Sequence, residues 1–241
     1  MLERSGASPT PLACHFRYWI LPSLVVATLM AMYFTGIPSL QSIVAPHINR
    51  ELGVLESIQH LLLLALVVLN VRTALRQSEV TGRVLWWVFS TGALFMLLEE
   101  LDYGQHYLEY LREVPLEHRS TVRSLHDGAN TQRFKLLSDI MDIAFFILLP
   151  LAARRSDDAR VRYITPSIYS IGTVAASFVL SRTGHLLDDY GFGAGGALYS
   201  GLAEFREVFT YWLWSQYFHE LRHRTIPFVR SGGATERARP L

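Results

Sequence analysis

A chain of 241 residues with 22 Lys and Arg against 21 Asp and Glu has a formal net charge of +1, too even a balance for a nucleic-acid-binding surface. Half of its residues are apolar, and they are gathered in blocks. Such grouping excludes an ordinary water-soluble fold, whose helices keep their apolar residues to one face, and points to a bilayer.

The blocks cover 18–35, 55–71, 84–98, 140–153, 164–180 and 209–218; with flanking turns they reach the roughly 20 residues of a membrane span. They predict an all-α polytopic membrane helix bundle of about six transmembrane helices. The expected organisation is a single domain over residues 1–230 with a loop at 104–134, then a disordered Gly/Ala/Arg-rich tail at 231–241.

Pro9 and Pro11 precede the first block, which reads as a retained helix and not as a cleaved signal peptide. Cys14, the single cysteine, excludes an internal disulfide. The second block, "ESIQHLLLLALVVLNV", has Leu and Val on every face. The third runs into "LLEELDYGQHYLEYL" and the loop, where Pro115, Gly128 and many charges interrupt the pattern and "HYLEYLREV" predicts a short amphipathic helix. Near the end of the chain, "GFGAGG" has neither a strand before it nor a Lys after it, so it reads as a turn and not as a phosphate loop.

Alternating the linkers between two sides puts 14 Lys and Arg on one side and 8 on the other. The positive-inside rule then makes both termini cytoplasmic. Fifteen of the 21 acids fall on the other, periplasmic side. Acids contribute little to topology, so this is an independent asymmetry. Glu56 and His60, Glu99 and Glu100, Asp139 and Asp142, His185 with Asp188 and Asp189, and Glu204 with Arg206 and Glu207 all come to that level.

Spacings of three (Asp139 and Asp142; Glu204 and Glu207) and four (Glu56 and His60) put each pair on one helical face. An ionised carboxylate at membrane depth costs about 2.5–3.5 kcal/mol on insertion scales, so it faces a cavity, a partner or a metal. Two kinds of chemistry suit the set. Glu99, Glu100 and Asp139 are candidate catalytic carboxylates, where crowding tunes one group as acid and another as base. Glu56, His60, Glu100 and His126 are candidate ligands of a divalent metal such as zinc or iron. A structural alternative for Glu56 with His60, and for Glu99 with Glu100, is interhelical ion pairing to Arg182 or Arg206. "HELRH" places His219 and His223 four apart, at the opposite, cytoplasmic end.

"EELDYGQ" followed by "SLHDGAN" resembles an uncharacterised bacterial multi-pass membrane family with "EExSWGQ" and then "NLHN". Glu99, Glu100, Gly104, Gln105, Leu125 and His126 coincide with that pattern, whereas Asp102, Tyr103 and Asp127 depart from it. The resemblance covers about a tenth of the chain and implies a bacterial membrane protein, with no reaction attached. The expected partners are the lipid bilayer and either a lipid-like substrate or a membrane protein; nucleic acid is not among them. Three functions fit: an enzyme acting on a lipid-like substrate, a non-catalytic subunit of a membrane complex, and a small transporter or proton pathway.

Overall fold

The computed structural model describes residues 10–47, 52–113, 131–194, 196, 198 and 202–224. Among these the protein is all helical. α1 covers Pro11–Phe34, with a π-turn at Phe16–Ile20. α2 is Pro38–Val44, α3 Val54–Arg76, α4 Val80–Glu100 and α5 Gln105–Leu111. α6 starts as Thr131–Ile143 and continues through a second π-turn, Ala144–Leu148, to Leu149–Ala153. α7 is Ala159–Ile164, α8 Ser170–Asp189 and α9 Glu204–Leu221.

Four of these helices are long and apolar enough to cross a membrane: α1, α3, α4 and the Leu136–Ala153 part of α6. Their outward faces carry exposed large apolar side chains, among them Leu61 and Leu75 on α3, Val84 and Val88 on α4, and Leu137 and Ile140 on α6. Such an apolar surface is stable against hydrocarbon and costly against water.

Side-chain contacts give the helices their directions. Gln59 meets Glu204 while Leu66 packs with Leu213, so α3 and α9 are parallel. Asp139 meets Arg206 and Asp142 meets Thr210, so α6 runs with them. Trp19 lies on Gly172 and Met30 on Gly184, making α1 and α8 parallel to each other. α1 opposes α9, since Arg17 reaches Gln216 and Phe34 packs on Phe205.

The helix order also shows where hydropathy misleads. α9 is more polar than the four membrane-length helices, yet it packs against α1, α3 and α8 with Phe205, Val208, Phe209, Leu213 and Leu221 almost wholly buried. A helix surrounded by protein need not be apolar all round, because its polar groups bond to neighbouring helices instead of facing lipid.

Both π-turns have a packing role. A π-turn leaves carbonyls without their usual intrahelical partner. Thr173 Oγ1 donates to Tyr18 O at 2.8 Å and Trp212 Nε1 to Arg17 O at 3.1 Å, both within the first π-turn. Ser170 Oγ donates to Phe146 O in the second at 2.8 Å. α8 and α9 are therefore hydrogen-bonded to the irregular turns of α1 and α6.

Several sequence boundaries are revised. α6 begins at Thr131, inside the expected loop 104–134, because "TQRFKLLSD" is amphipathic and a hydropathy reading passes over it. The expected block 164–180 is divided: Pro166 cannot continue a helix, so α7 stops at Ile164 and α8 starts at Ser170. α2 was not anticipated; its N-terminal Pro38 suits a first helical turn. The amphipathic "HYLEYLREV" segment does supply a short helix, α5. The tail at 231–241 lies outside the described residues.

Candidate functional site

One end of the bundle gathers the N-terminal turns of α3, α6 and α9 and the C-terminal turn of α4. α3 starts with Glu56 in its first turn, and Gln59 follows on the buried face. Gln59 Nε2 donates to Glu204 O at 2.9 Å, tying α3 to the start of α9. His60, one turn after Glu56, places Nε2 3.3 Å from Glu100 O at the end of α4.

The Glu100 side chain turns the other way, toward α9. Tyr211 Oη donates to Glu100 Oε1 at 2.5 Å. Glu204 and Glu207 lie near enough to act electrostatically on the same tyrosine. Glu100 on α4 is thus in contact with α9 through its carboxylate and with α3 through its backbone carbonyl.

Glu99, next to Glu100, is buried, and Tyr103 Oη donates to its Oε1. The turn that allows this has Asp102, Tyr103 and Gly104 in succession at φ 46°, 53° and 81°. Left-handed φ costs an L-residue roughly 1–2 kcal/mol, so the turn is held by its surroundings, and Gly104 reduces the cost at the third position. The Tyr103 phenol titrates above its ordinary value, chiefly because the Glu99 carboxylate accepts its proton in a hydrogen bond.

α6 contributes a second pair. Asp139 is ion-paired with Arg206, and Thr210 Oγ1 donates to Asp142 Oδ2 at 2.8 Å. The residues are three apart on α6 and four apart on α9, so two adjacent rungs join parallel helices. Arg206 also stands 5.1 Å from the centre of the Phe178 ring on α8.

The candidate set thus divides. Glu56, His60, Glu99 and Glu100 lie at one end of the α3–α4 pair, while Asp139 is held by Arg206, a cation that the sequence offers to the Glu56–His60 and Glu99–Glu100 pairs and not to Asp139. His126 lies outside the described residues. Among the described residues no group of three or more His, Cys, Asp or Glu is arranged to hold a metal ion. Each of Glu56, His60, Glu99, Glu100, Asp102, Glu204 and Glu207 is partnered.

Sequence reasoning passed over Tyr211, Thr210 and Tyr103. Tyr211 had a readable signal, since Glu204, Glu207 and Tyr211 follow the i, i+3, i+7 spacing of one helical face. Tyr103 had none, because its reach back to Glu99 depends on left-handed backbone. The fold and site therefore define a helical protein with membrane-length apolar helices and a buried carboxylate, tyrosine and histidine cluster at one end. No protein-family model, curated protein or solved structure matches the chain.

Proposed function

We propose that the protein is a bacterial inner-membrane protein of six spans, with α8 and α9 as the fifth and sixth, both termini cytoplasmic and the carboxylate cluster facing the periplasm. Its cluster acts on a lipid-like substrate at the outer leaflet by acid/base chemistry, Glu100 and Glu99 being the principal groups. The observation that carries this reading is that three helices meet at Glu100, its carboxylate bonded by Tyr211 and its backbone carbonyl facing His60. Hydrogen bonding from Tyr211 and a shell of further carboxylates are the means by which a carboxyl group is held in position and its proton affinity tuned. In a metal-assisted version the ligands expected from sequence, Glu56, His60, Glu100 and His126, would hold zinc or iron, which would supply a Lewis acid or an activated water.

A second reading is a non-catalytic subunit of a membrane complex, in which the cluster is an internal polar network. It is favoured by the Asp139–Arg206 and Asp142–Thr210 rungs, where acids are already matched by the protein itself.

The test is elemental analysis of the purified chain, with Glu100→Gln and His60→Ala, alongside isolation of the protein from native membranes. Stoichiometric zinc or iron lost in both variants supports the metal-assisted enzyme. Metal-free protein whose variants fold but lose turnover of membrane lipid extracts supports acid/base catalysis. Copurification of a fixed partner, with full tolerance of Glu100→Gln, replaces both by the subunit reading.

A further inference from the structure

At the opposite end of the bundle, a cavity of about 290 Å³ opens between α1, α3 and α9. Its polar wall is Arg17, Ser215, Gln216 and His219, and its apolar wall includes Leu66 and Leu69 of α3. None of the lining residues is acidic.

Arg17 is half-buried. Its Nε donates to Gln216 Oε1, which fixes the guanidinium plane. Among the described residues no carboxylate is paired with it. The acid nearest in sequence to this wall, Glu220, is instead 3.6 Å from Arg224. Arg17 and Arg222 both act on His219 as like charges, and the acid at this end, Glu220, faces Tyr18 and Arg224. Ser215 Oγ is buried there and has no hydrogen-bond partner in the protein.

An arginine at membrane depth is costly unless it meets a counter-charge. A buried hydroxyl without a partner costs roughly 1–3 kcal/mol. One ligand removes both costs: an oxyanion that takes the free N–H groups of Arg17 and the Ser215 hydroxyl, attached to hydrocarbon that lies along Leu66 and Leu69.

We propose that this cavity binds the phosphate of an anionic phospholipid from the leaflet at that end of the bundle. The guanidinium donates to the phosphate oxygens, Ser215 donates a further hydrogen bond, and the acyl chain covers the α3 wall. This rests on the bilayer reading of the fold and does not involve the carboxylate cluster.

The test uses the full chain in a neutral detergent, after its recovery in the membrane fraction has been checked, so that failure of the bilayer reading is separated from failure of the site. Phosphatidylglycerol, phosphatidylcholine and inorganic phosphate are titrated separately, with thermal unfolding and native mass spectrometry as readouts. Phosphatidylglycerol is expected to remain bound at one per chain and to raise the unfolding temperature. Arg17→Gln weakens it by roughly tenfold, the loss of about one charge-assisted contact, and Arg76→Gln, an exposed cation at the same end, does not. Equal binding of phosphatidylcholine, or unchanged phosphatidylglycerol binding in Arg17→Gln, overturns the proposal. Equal stabilisation by inorganic phosphate overturns the lipid as its source. Should Arg17→Gln not fold, Ser215→Ala carries the test: weaker phosphatidylglycerol binding supports the site, and unchanged binding overturns it.

Discussion

Tyr211 on α9 donates its phenol to Glu100 at the C-terminal end of α4, at 2.5 Å and almost out of contact with solvent. This bond joins α9 to the end of α4, whose Trp86 and Phe89 pack on Phe218 of α9 further along the pair. Removing the hydroxyl leaves the half-buried Glu100 carboxylate short of a donor. Tyr211→Phe is expected to cost about 1.5–3 kcal/mol, the range for a hydrogen bond to a charged group. Glu100→Gln, which keeps an acceptor, should cost less. Reversible unfolding of the two variants in mixed micelles checks the order, and the reverse order would contradict it.

The Asp139–Arg206 rung is partly solvated, with side chains 20% and 28% exposed. Arg206→Ala is expected to cost roughly 1–2 kcal/mol, below the full penalty of a buried charge left unpaired. Adding Asp139→Asn should recover part of that loss, because the uncompensated carboxylate is then gone. A double-mutant cycle measures the coupling; simple additivity would show that the ion pair adds nothing.

The π-turn carbonyls give a third prediction. Thr173→Val and Ser170→Ala each remove a donor to a carbonyl that has no water to turn to. Each should lower stability by about 0.6–2 kcal/mol, and both should speed amide exchange in the turn they cap. Exchange at 16–20 for Thr173 and at 144–148 for Ser170, read by mass spectrometry, locates the effect.

Gly172 lies against Trp19, and a β-carbon built there would come within 2.7 Å of the indole ring. The ring is not free to yield, since Trp19 Nε1 donates to His15 Nδ1 at 3.0 Å. Gly172→Ala is therefore expected to destabilise the α1–α8 contact by about 1–3 kcal/mol, the usual cost of overpacking. Gly92, with open space around its β-carbon position, should accept Ala without loss. Thermal unfolding of the two variants separates packing from any general effect of glycine.

Tyr103 gives the pH dependence. Its phenol is a donor to Glu99, so the proton is held more tightly in the folded chain than in the unfolded one. With the folded value raised, the contribution to stability is complete below the ordinary tyrosine value of about 10 and is lost as pH rises through the folded one. An ultraviolet titration of wild type against Glu99→Gln should show one tyrosine moving toward its ordinary value in the variant. No movement would mean that the Glu99 contact does not set it.

The helices of this protein were legible because apolar blocks of membrane length leave few alternatives: α1, α3 and α4 stand where "LPSLVVATLMAMYF", "HLLLLALVVLNV" and "VLWWVFSTGALFMLL" put them. The site was legible to the level of a helix end. Spacing placed Asp139 with Asp142 and Glu56 with His60 on shared faces, but it could not say that Asp139 would be claimed by Arg206, or that the Glu100 carboxylate would turn from His60 to Tyr211. Those outcomes depend on the rotation of each helix about its axis, which is set by packing between helices remote in sequence.

The sequence by itself determined an all-helical chain with membrane-length apolar helices and a strong segregation of acids among its linkers, because hydropathy and charge are properties of segments. Only the tertiary structure decided that the polar α9 packs among α1, α3 and α8, that two π-turns receive the donors of α8 and α9, and that the Glu100 carboxylate of α4 meets Tyr211 of α9. In a bilayer the hydrophobic effect places helices without choosing their partners. That choice falls to close packing at glycines and to hydrogen bonds between helices, which become definite only when the helices meet.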